Sequence, residues 1–578
     1  MSSAAETGPT RLEAEADLGV PPERLTLGAF LADVADRYGE RPAMVSGPRR
    51  LSYRQLFEET RAVARALVAA GVTKGTRVGV LMGNRPEAAA ALFAVGMAGG
   101  VAVPISTFAV APERYHVMAH SDMALAVVED RLASNTYLDD LARDHPEVAG
   151  AAPGAIRSPA FPFLRRVVGF GEGAGPFQAW GEFLAAGEGV DDRLLDAAGA
   201  AVVPYDDALM IYTSGTTALP KSVLHTHRSV TGQLWRWGGQ LGLTTEDRVW
   251  SAFPFFWSAG FAMVLGGTLA SGAALYVDEV FDAGAALELM ERERITTYYA
   301  FPHTDAQLAD HPEARTRDLT SLRNIRSQSA LFRFTGMVAD ETSWDISSGY
   351  GSSETFTVST ALPNDAPLSL RLSSHGRPLP GMRIRIVDTE TGAPLPPGQS
   401  GEITVKGIYL MRTYYKMAPE ACFDEDGWFH TKDAGHLDED GYLHWHGRIS
   451  GMIKTGGSNV SPVEVETRAA ESGVLGVVTV VGVPHHLLGE AVVMCAVPLK
   501  GTEADANPVL HHLRATLASY KVPRRIVFFD DEELQFTASE KVHVDEVRRL
   551  AVERLVADDE DAEWVAHLRA LFGQEAGE

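Results

Sequence analysis

Cysteine is scarce in this 578-residue chain: only Cys422 and Cys495 are present. Two thiols cannot build a disulfide framework, nor by themselves supply the four ligands of a structural zinc site. Positive charge is also in short supply. The chain carries 51 Lys and Arg against 76 Asp and Glu, a formal net charge of −25, which excludes a general nucleic-acid binder. A basic and then apolar leader is missing as well. The N-terminus, MSSAAETGPTRLEAEADLG, is acidic and polar, so no export is expected and a reducing, cytoplasmic setting is. Unbroken apolar runs are equally lacking. Residues 88–107 and 252–277 are long enough to span a bilayer. Gly96, Gly99, Gly100 and Pro104 interrupt the first, and Pro254, Gly260, Gly266, Gly267 and Gly272 the second. Each is expected to form a buried helix, a glycine turn and a buried strand.

What is present is ordinary globular composition, with 45% hydrophobic and 22% charged residues. At roughly 150 residues per domain the length alone would allow about four domains. Between Leu27 and Val203 helical patterns such as LSYRQLFEETRAVARALVAAG alternate with short apolar runs such as TRVGVLMGN and VAVPI. This alternation predicts right-handed crossovers and a mostly parallel sheet, an α/β core. Residues 165–176, RRVVGFGEGAGP, hold glycines outside any G-x-G-x-x-G frame and are expected to be a loop. After Gly376 the texture changes to MRIRIVD, GEITVKG and YLHWHG, short strands of a β-rich subdomain. Beyond Arg448 a compact α/β run ends in a helix over 544–556. The expected partition is a flexible N-terminus (1–20), a large domain of mostly parallel sheets plus the β-rich subdomain (21–449), and a small mobile α/β lid (450–578). The lid would be joined by a hinge and would carry a loosely ordered acidic tail after Asp558.

The most informative run is residues 211–223, IYTSGTTALPKSV. Thr213, Ser214, Gly215, Thr216 and Thr217 let backbone N–H groups close on phosphate oxygens, and Lys221 adds positive charge. By chemistry alone it is either a phosphate loop or a plain Ser/Thr/Gly turn, because the G-x-x-x-x-G-K pattern is absent. Four further runs follow in order: GYGSSET at 349–355, DGWFHTKDAGHLDEDGYLHWHGR at 426–448, MIKTGGSNVSPVEVE at 452–466 and TASEKV at 537–542. In this order and spacing the five runs resemble the adenylate-forming superfamily of acyl-CoA synthetases, luciferases and peptide-synthetase adenylation domains. Acyl-CoA synthetases are the closest branch, and the resemblance covers residues 27–550.

That resemblance implies the roles that follow. Thr213, Ser214, Gly215, Thr216, Thr217 and Lys221 hold the ATP phosphates; Ser329 and Ala330 lie on the adenine side, Tyr350 stacks on adenine and Glu354 holds Mg²⁺. Asp433 accepts both ribose hydroxyls, as a carboxylate can, and Arg448 also reaches the ribose. Lys541, with Glu354 and Thr216, is catalytic in adenylation. Ser450 is the hinge, and Gly456 and Gly457 belong to the loop presented for thioester formation. Trp257 and Gly351 border the acyl group. A carboxylate attacks MgATP to give acyl-AMP; the lid then turns, and the thiol of coenzyme A takes the acyl group.

Several positions depart from the family pattern. Ala218 and Ser222 replace glycines of the phosphate loop, SQSALF stands in a normally glycine-rich segment at 327–332, Glu540 precedes Lys541, and the hinge is serine. A side chain where φ > 0 is needed would restrict the loop. These changes predict either tolerated variation or weakened adenylation, with acyl-AMP supplied by a separate adenylating enzyme. No aspartate stands near Trp257 to pair an α-amino group, so a hydrophobic, non-amino and sometimes bulky acid is expected. Two alternatives are an adenylating enzyme that loads a carrier protein and a non-catalytic acyl-nucleotide binding protein. A homodimer stays open. His444 and His446 are read as a structural pair without a third metal ligand, and the two cysteines as packed residues.

Overall fold

The computed structural model describes residues 21–213, 220–345, 349–455, 458–499, 501–502, 504–517, 521–530, 533, 544–558 and 561–572. The fold is α/β, and by contacts the chain divides into two units. One is the chain up to Ile384 with Val405–Phe429 and Gly441–Leu443; the other is Arg385–Thr404, His430–Asp440 and the chain from His444. This division gives the second unit strand segments that the sequence reading places before residue 449, because they pair within one four-stranded sheet.

The first unit holds an eight-stranded sheet in the order Thr413–Tyr414, Lys221–Thr226, Asp207–Thr213, Val101–Pro104, Arg77–Leu81, Leu125–Glu129, Arg166–Phe170, Gln178–Ala179. From Asp207–Thr213 onward every neighbouring pair is parallel, as the alternating pattern predicts. Residues 165–176 are therefore not wholly loop. The Val-Val-Gly run inside them is Arg166–Phe170, whose β-branched pair lies buried beside Leu125–Glu129. A five-stranded sheet follows the order Thr297–Tyr299, Arg248–Ser251, Ala274–Tyr276, Pro42–Ser46, Arg49–Ser52 and is parallel up to its terminal hairpin.

Helices fill the space between these sheets. In Leu27–Tyr38 the buried residues Leu27, Phe30, Leu31, Val34 and Ala35 share one helical face, and Thr26 caps the start. Tyr53–Ala69 begins with a reciprocal cap between Ser52 and Gln55. Pro86–Met97, which leads into the first long apolar run, is buried at every residue but Glu87 and joins residues of both sheets in one core. The second apolar run forms a π-helix at Gly260–Gly266, the helix Gly267–Ser271 and the strand Ala274–Tyr276. No helix among the described residues is long and apolar enough to cross a membrane.

The second unit contains most of the four-stranded sheet Met382–Val387, Gly401–Gly407, Phe429–Leu437, Leu443–Arg448. It also holds a hairpin of Leu475–His485 and Gly489–Pro498, with Arg525–Phe528 parallel to the latter. Cys495 lies wholly buried in this hairpin, and burial pushes its thiol up to about 12. Pro462–Ala470 and Ala506–Thr516 pack on one core, Val544–Asp558 and Ala562–Phe572 on another.

That last helix corrects the expectation of a loose tail. Trp564, Val565 and Leu568 form a buried stripe inside an otherwise acidic segment, and the Trp564 indole N–H donates to the Pro484 carbonyl at 2.6 Å. Trp564→Ala is expected to cost the second unit about 3–5 kcal/mol, read as a lower denaturation midpoint in urea.

Candidate active site

The strand Asp207–Thr213 turns back through the hydroxyl-rich loop into Lys221–Thr226, with Thr213 opposite Lys221 in antiparallel register. The two residues thus stand at the neck of the loop, where the Thr213 hydroxyl donates to the Lys221 carbonyl at 3.4 Å. Ser214, Gly215, Thr216, Thr217 and Ala218 lie outside the described residues, as do Gly456, Gly457, Glu540 and Lys541. Ser222 is in regular strand opposite Tyr212, and its φ is not positive. Ser329 has φ −64° and ψ 134°. Both serines adopt backbone open to any residue, so the strain expected of a side chain at Ser222 in the phosphate loop is absent.

Tyr350 and Glu354 arrive on a strand and turn. The strand Gly349–Tyr350 pairs with Thr360–Ala361, and Tyr350 is buried. Gly351 follows where no side chain fits: a Cβ would lie 1.9 Å from the Thr357 carbonyl oxygen. Glu354 sits in the short 3-10 turn Ser353–Thr355, and the next two residues take the positive φ angles of 47° at Phe356 and 105° at Thr357. The helix His227–Gln240 holds this strained turn, with the Gln233 amide donating to the carbonyls of Thr355 (3.1 Å) and Val358 (2.6 Å) and the Trp237 indole to the Thr357 hydroxyl (2.8 Å). His225 adds a contact of 2.7 Å to the Ser353 carbonyl. Burial lowers its pKa to about 4, so the ring is neutral and Nε2–H is the donor.

Tyr414 ties these pieces together. Its hydroxyl donates to the Glu354 carboxylate at 2.7 Å, and the Lys221 ammonium lies 5.5 Å from its ring centroid. A cation and a carboxylate are thereby both set against one tyrosine. The carboxylate has acceptor capacity left after this bond. One hard oxygen ligand suits Mg²⁺, which usually takes one or two carboxylates and completes its shell with water and phosphate. Among the described residues no group of three or more His, Cys, Asp and Glu is placed to hold a metal ion.

Trp257 lies in an aromatic wall. Its ring is 5.3 Å from Phe301, 5.5 Å from Phe256 and 5.9 Å from Phe108, and Phe253 stacks on Phe301 at 4.0 Å. Gly260, at the start of the π-helix, admits the Pro254 carbonyl, which would meet a Cβ at 1.8 Å. Asn84 fixes this loop by donating to the Phe253 carbonyl and accepting from the Phe255 amide, both at 2.9 Å. A cavity of about 210 Å³ lies beside it, bordered by Asn84, Phe108, Tyr137, Pro254, Phe256 and Asp278. Ser329 and Ala330, at the start of the 3-10 helix Ala330–Phe334, are held by Asp305.

In the second unit Asp433 is buried, and its carboxylate meets Arg448 at 3.0 Å. Arg448 also donates to the Thr431 carbonyl at 2.9 Å. The strand Phe429–Leu437 loses its alternation here because Lys432 takes φ 62°, with its amide donating to Glu402 at 3.0 Å. Ser450 lies in the 3-10 turn Ile449–Gly451. The histidine pair of YLHWHG is a trio: His436 contacts His446 at 3.0 Å and stacks on His444 at 4.7 Å. Burial lowers the pKa of His446 to about 4. None of the positioning residues Asn84, His225, Gln233, Asp305 and Tyr414 carries a local sequence signal for its role.

The α/β fold, with its mostly parallel eight-stranded sheet, is that of adenylate-forming enzymes. The description "AMP-binding enzyme" matches residues 31–415 and "AMP-binding enzyme C-terminal domain" matches residues 464–541. The chain belongs to the AMP-binding enzyme family. It is 32% identical over 515 residues to a feruloyl-CoA synthase of an Amycolatopsis species, covering 88% of this chain and 95% of that one. It is also 32% identical over 517 residues to the indoleacetate–CoA ligase of Aromatoleum aromaticum, covering 88% and 94%. Among solved structures, ATP-bound MatB from Rhodopseudomonas palustris superposes with a TM-score of 0.70 at 26% identity, covering 91% of this chain and 99% of that one. The amide bond synthetase McbA from Marinactinospora thermotolerans gives 0.72 at 27%, with the same coverage. These relatives place the chain among AMP-forming acyl-CoA synthetases and ligases and their adenylate-forming kin.

Proposed function

We propose that the protein joins a hydrophobic, non-amino carboxylic acid to coenzyme A through an acyl-AMP intermediate, with both half-reactions intact. The observation that carries this reading is Tyr414, which holds Glu354 and lies beside Lys221, so that phosphate charge and a metal-binding carboxylate share one corner. In the first half-reaction a carboxylate oxygen of the acid attacks the α-phosphorus of ATP and pyrophosphate leaves. Thr213–Thr217 and Lys221 cradle the phosphates, Tyr350 and the 329–330 segment flank adenine, Asp433 and Arg448 hold the ribose, and Lys541 bridges the two reacting groups. Glu354 would hold Mg²⁺, which would supply charge neutralisation on the phosphates. In the second, after movement about Ser450, the coenzyme A thiolate attacks the acyl carbon and AMP leaves, with Gly456 and Gly457 beside the incoming thiol.

The aromatic wall of Phe253, Trp257 and Phe301 supports an acid with an apolar or ring-bearing body. Ferulate, indoleacetate, ring-bearing propanoates and a medium-chain fatty acid form the test panel. Each is supplied with ATP and coenzyme A, and in parallel as preformed acyl-AMP with coenzyme A or with a phosphopantetheine-loaded carrier protein. ATP-dependent acyl-CoA formation, with pyrophosphate released in step, supports the reading. Thioester formed only from acyl-AMP would instead favour the thiolation specialist, for which Ala218 and Glu540 remain the argument. A thioester formed only on the carrier would favour carrier loading.

Tyr414→Phe removes the hydroxyl that orients Glu354. The Mg²⁺ concentration needed for half-maximal adenylation is expected to rise about tenfold, while thioester formation from preformed acyl-AMP stays unchanged; a magnesium titration of pyrophosphate release checks this.

A further inference from the structure

We propose that Asp305 is a positioning residue of the nucleotide pocket: its buried carboxylate fixes the backbone and side chain of Ser329, Ala330 and Leu331 as the adenine-side wall. The inference rests on the nucleotide reading above and deepens it. Asp305 lies on the helix Pro302–Asp310, 8% exposed. Four donors converge on it. The Tyr298 hydroxyl donates to Oδ1 at 2.9 Å, the Ser329 hydroxyl to Oδ1 at 2.6 Å, the Ala330 amide to Oδ2 at 2.6 Å and the Leu331 amide to Oδ1 at 3.4 Å. A buried carboxylate is tolerated only when its lone pairs are used in this way.

The geometry also explains the unusual sequence of the wall. Ser329 gives its proton to Asp305 and accepts the Leu331 amide at 3.2 Å, so it caps the 3-10 helix Ala330–Phe334 while bound to the carboxylate. Each bond polarises the next. Where a glycine-rich stretch would gain close approach by lacking side chains, this chain obtains a defined wall by anchoring one. Asp305 accepts from three N–H or O–H groups of the segment and from the buried Tyr298 hydroxyl, so its removal leaves the half-buried Ser329 and Ala330 donors and that hydroxyl without this acceptor. That wall loses its support.

The test compares wild type with Asp305→Ala, Asp305→Asn and Ser329→Ala in the full-length chain, titrating ATP, AMP and inorganic tripolyphosphate. Asparagine keeps the size but offers one acceptor oxygen where four donors converge, so it is expected to behave as a partial loss. Asp305→Ala is expected to weaken ATP and AMP about tenfold and to leave tripolyphosphate, which has no base, within about twofold. Ser329→Ala should reproduce part of the loss, and the double variant should lose no more than Asp305→Ala alone, because both act through one network. Unchanged AMP affinity in Asp305→Asn and Ser329→Ala, or an equal loss for all three ligands, overturns the proposal; Ser329→Ala decides it if Asp305→Ala does not fold. If wild type binds neither ATP nor AMP, the nucleotide reading itself falls. If wild type binds both and the variants match it, only the role of Asp305 does.

Discussion

Asp433→Ala is expected to lower kcat/KM for acyl-CoA formation about a thousandfold and to do so in both half-reactions. Two hydroxyls of one ribose give a carboxylate two charge-assisted hydrogen bonds, each worth about 1.5–3 kcal/mol. Losing both is about 3–6 kcal/mol, or roughly 10²–10⁴ in affinity for the nucleotide and the adenylate. A second cost comes from Arg448. It is held by Asp433 at 3.0 Å and by the Thr431 carbonyl, and without the carboxylate its guanidinium keeps only part of its anchorage. The substitution touches a shared ligand, so ATP-driven pyrophosphate release and thioester formation from preformed acyl-AMP should fall together. Measuring both separates this result from a defect in one step. Unchanged thioester formation would remove Asp433 from the site.

Lys541→Ala is expected to separate the half-reactions. A lysine that bridges the attacking carboxylate and the α-phosphate neutralises charge that grows only in the adenylation transition state. Removing one such donor costs about 10²–10³ in rate. Thioester formation involves no pentavalent phosphorus, so conversion of preformed acyl-AMP with coenzyme A should stay within about threefold of wild type. Pyrophosphate exchange and acyl-AMP conversion, assayed side by side, give the comparison. An equal fall in both would place Lys541 in a shared role.

Much of the first unit was legible because its signals are local. The helical pattern LSYRQLFEETRAVARALVAAG and the apolar runs TRVGVLMGN and VAVPI, which fold as Tyr53–Ala69, Arg77–Leu81 and Val101–Pro104, follow from periodicity within a few residues. Thr213 and Lys221 belong to one short run, but the antiparallel register that sets them opposite each other is what the structure adds. The acidic C-terminus misled because net charge was weighed over the Trp564, Val565 and Leu568 stripe, which only the core beneath it turns into a helix. Whether a glycine position needs positive φ is a property of the folded loop, and Ser222 lies in regular strand without it.

By itself the sequence determined the α/β class of the fold and, through five ordered motifs, the adenylate-forming family; two cysteines, one buried and one half-buried, are all the thiols it supplies. Only the tertiary structure decided which residues hold the groups of the site in place. Asp305 and Ser329 are 24 residues apart, Glu354 and Tyr414 are 60, and Asn84 and Phe253 are 169. Residue type and spacing fix what a side chain can do. What it holds depends on packing that brings distant segments together, where a buried polar group must find whatever partner the fold provides.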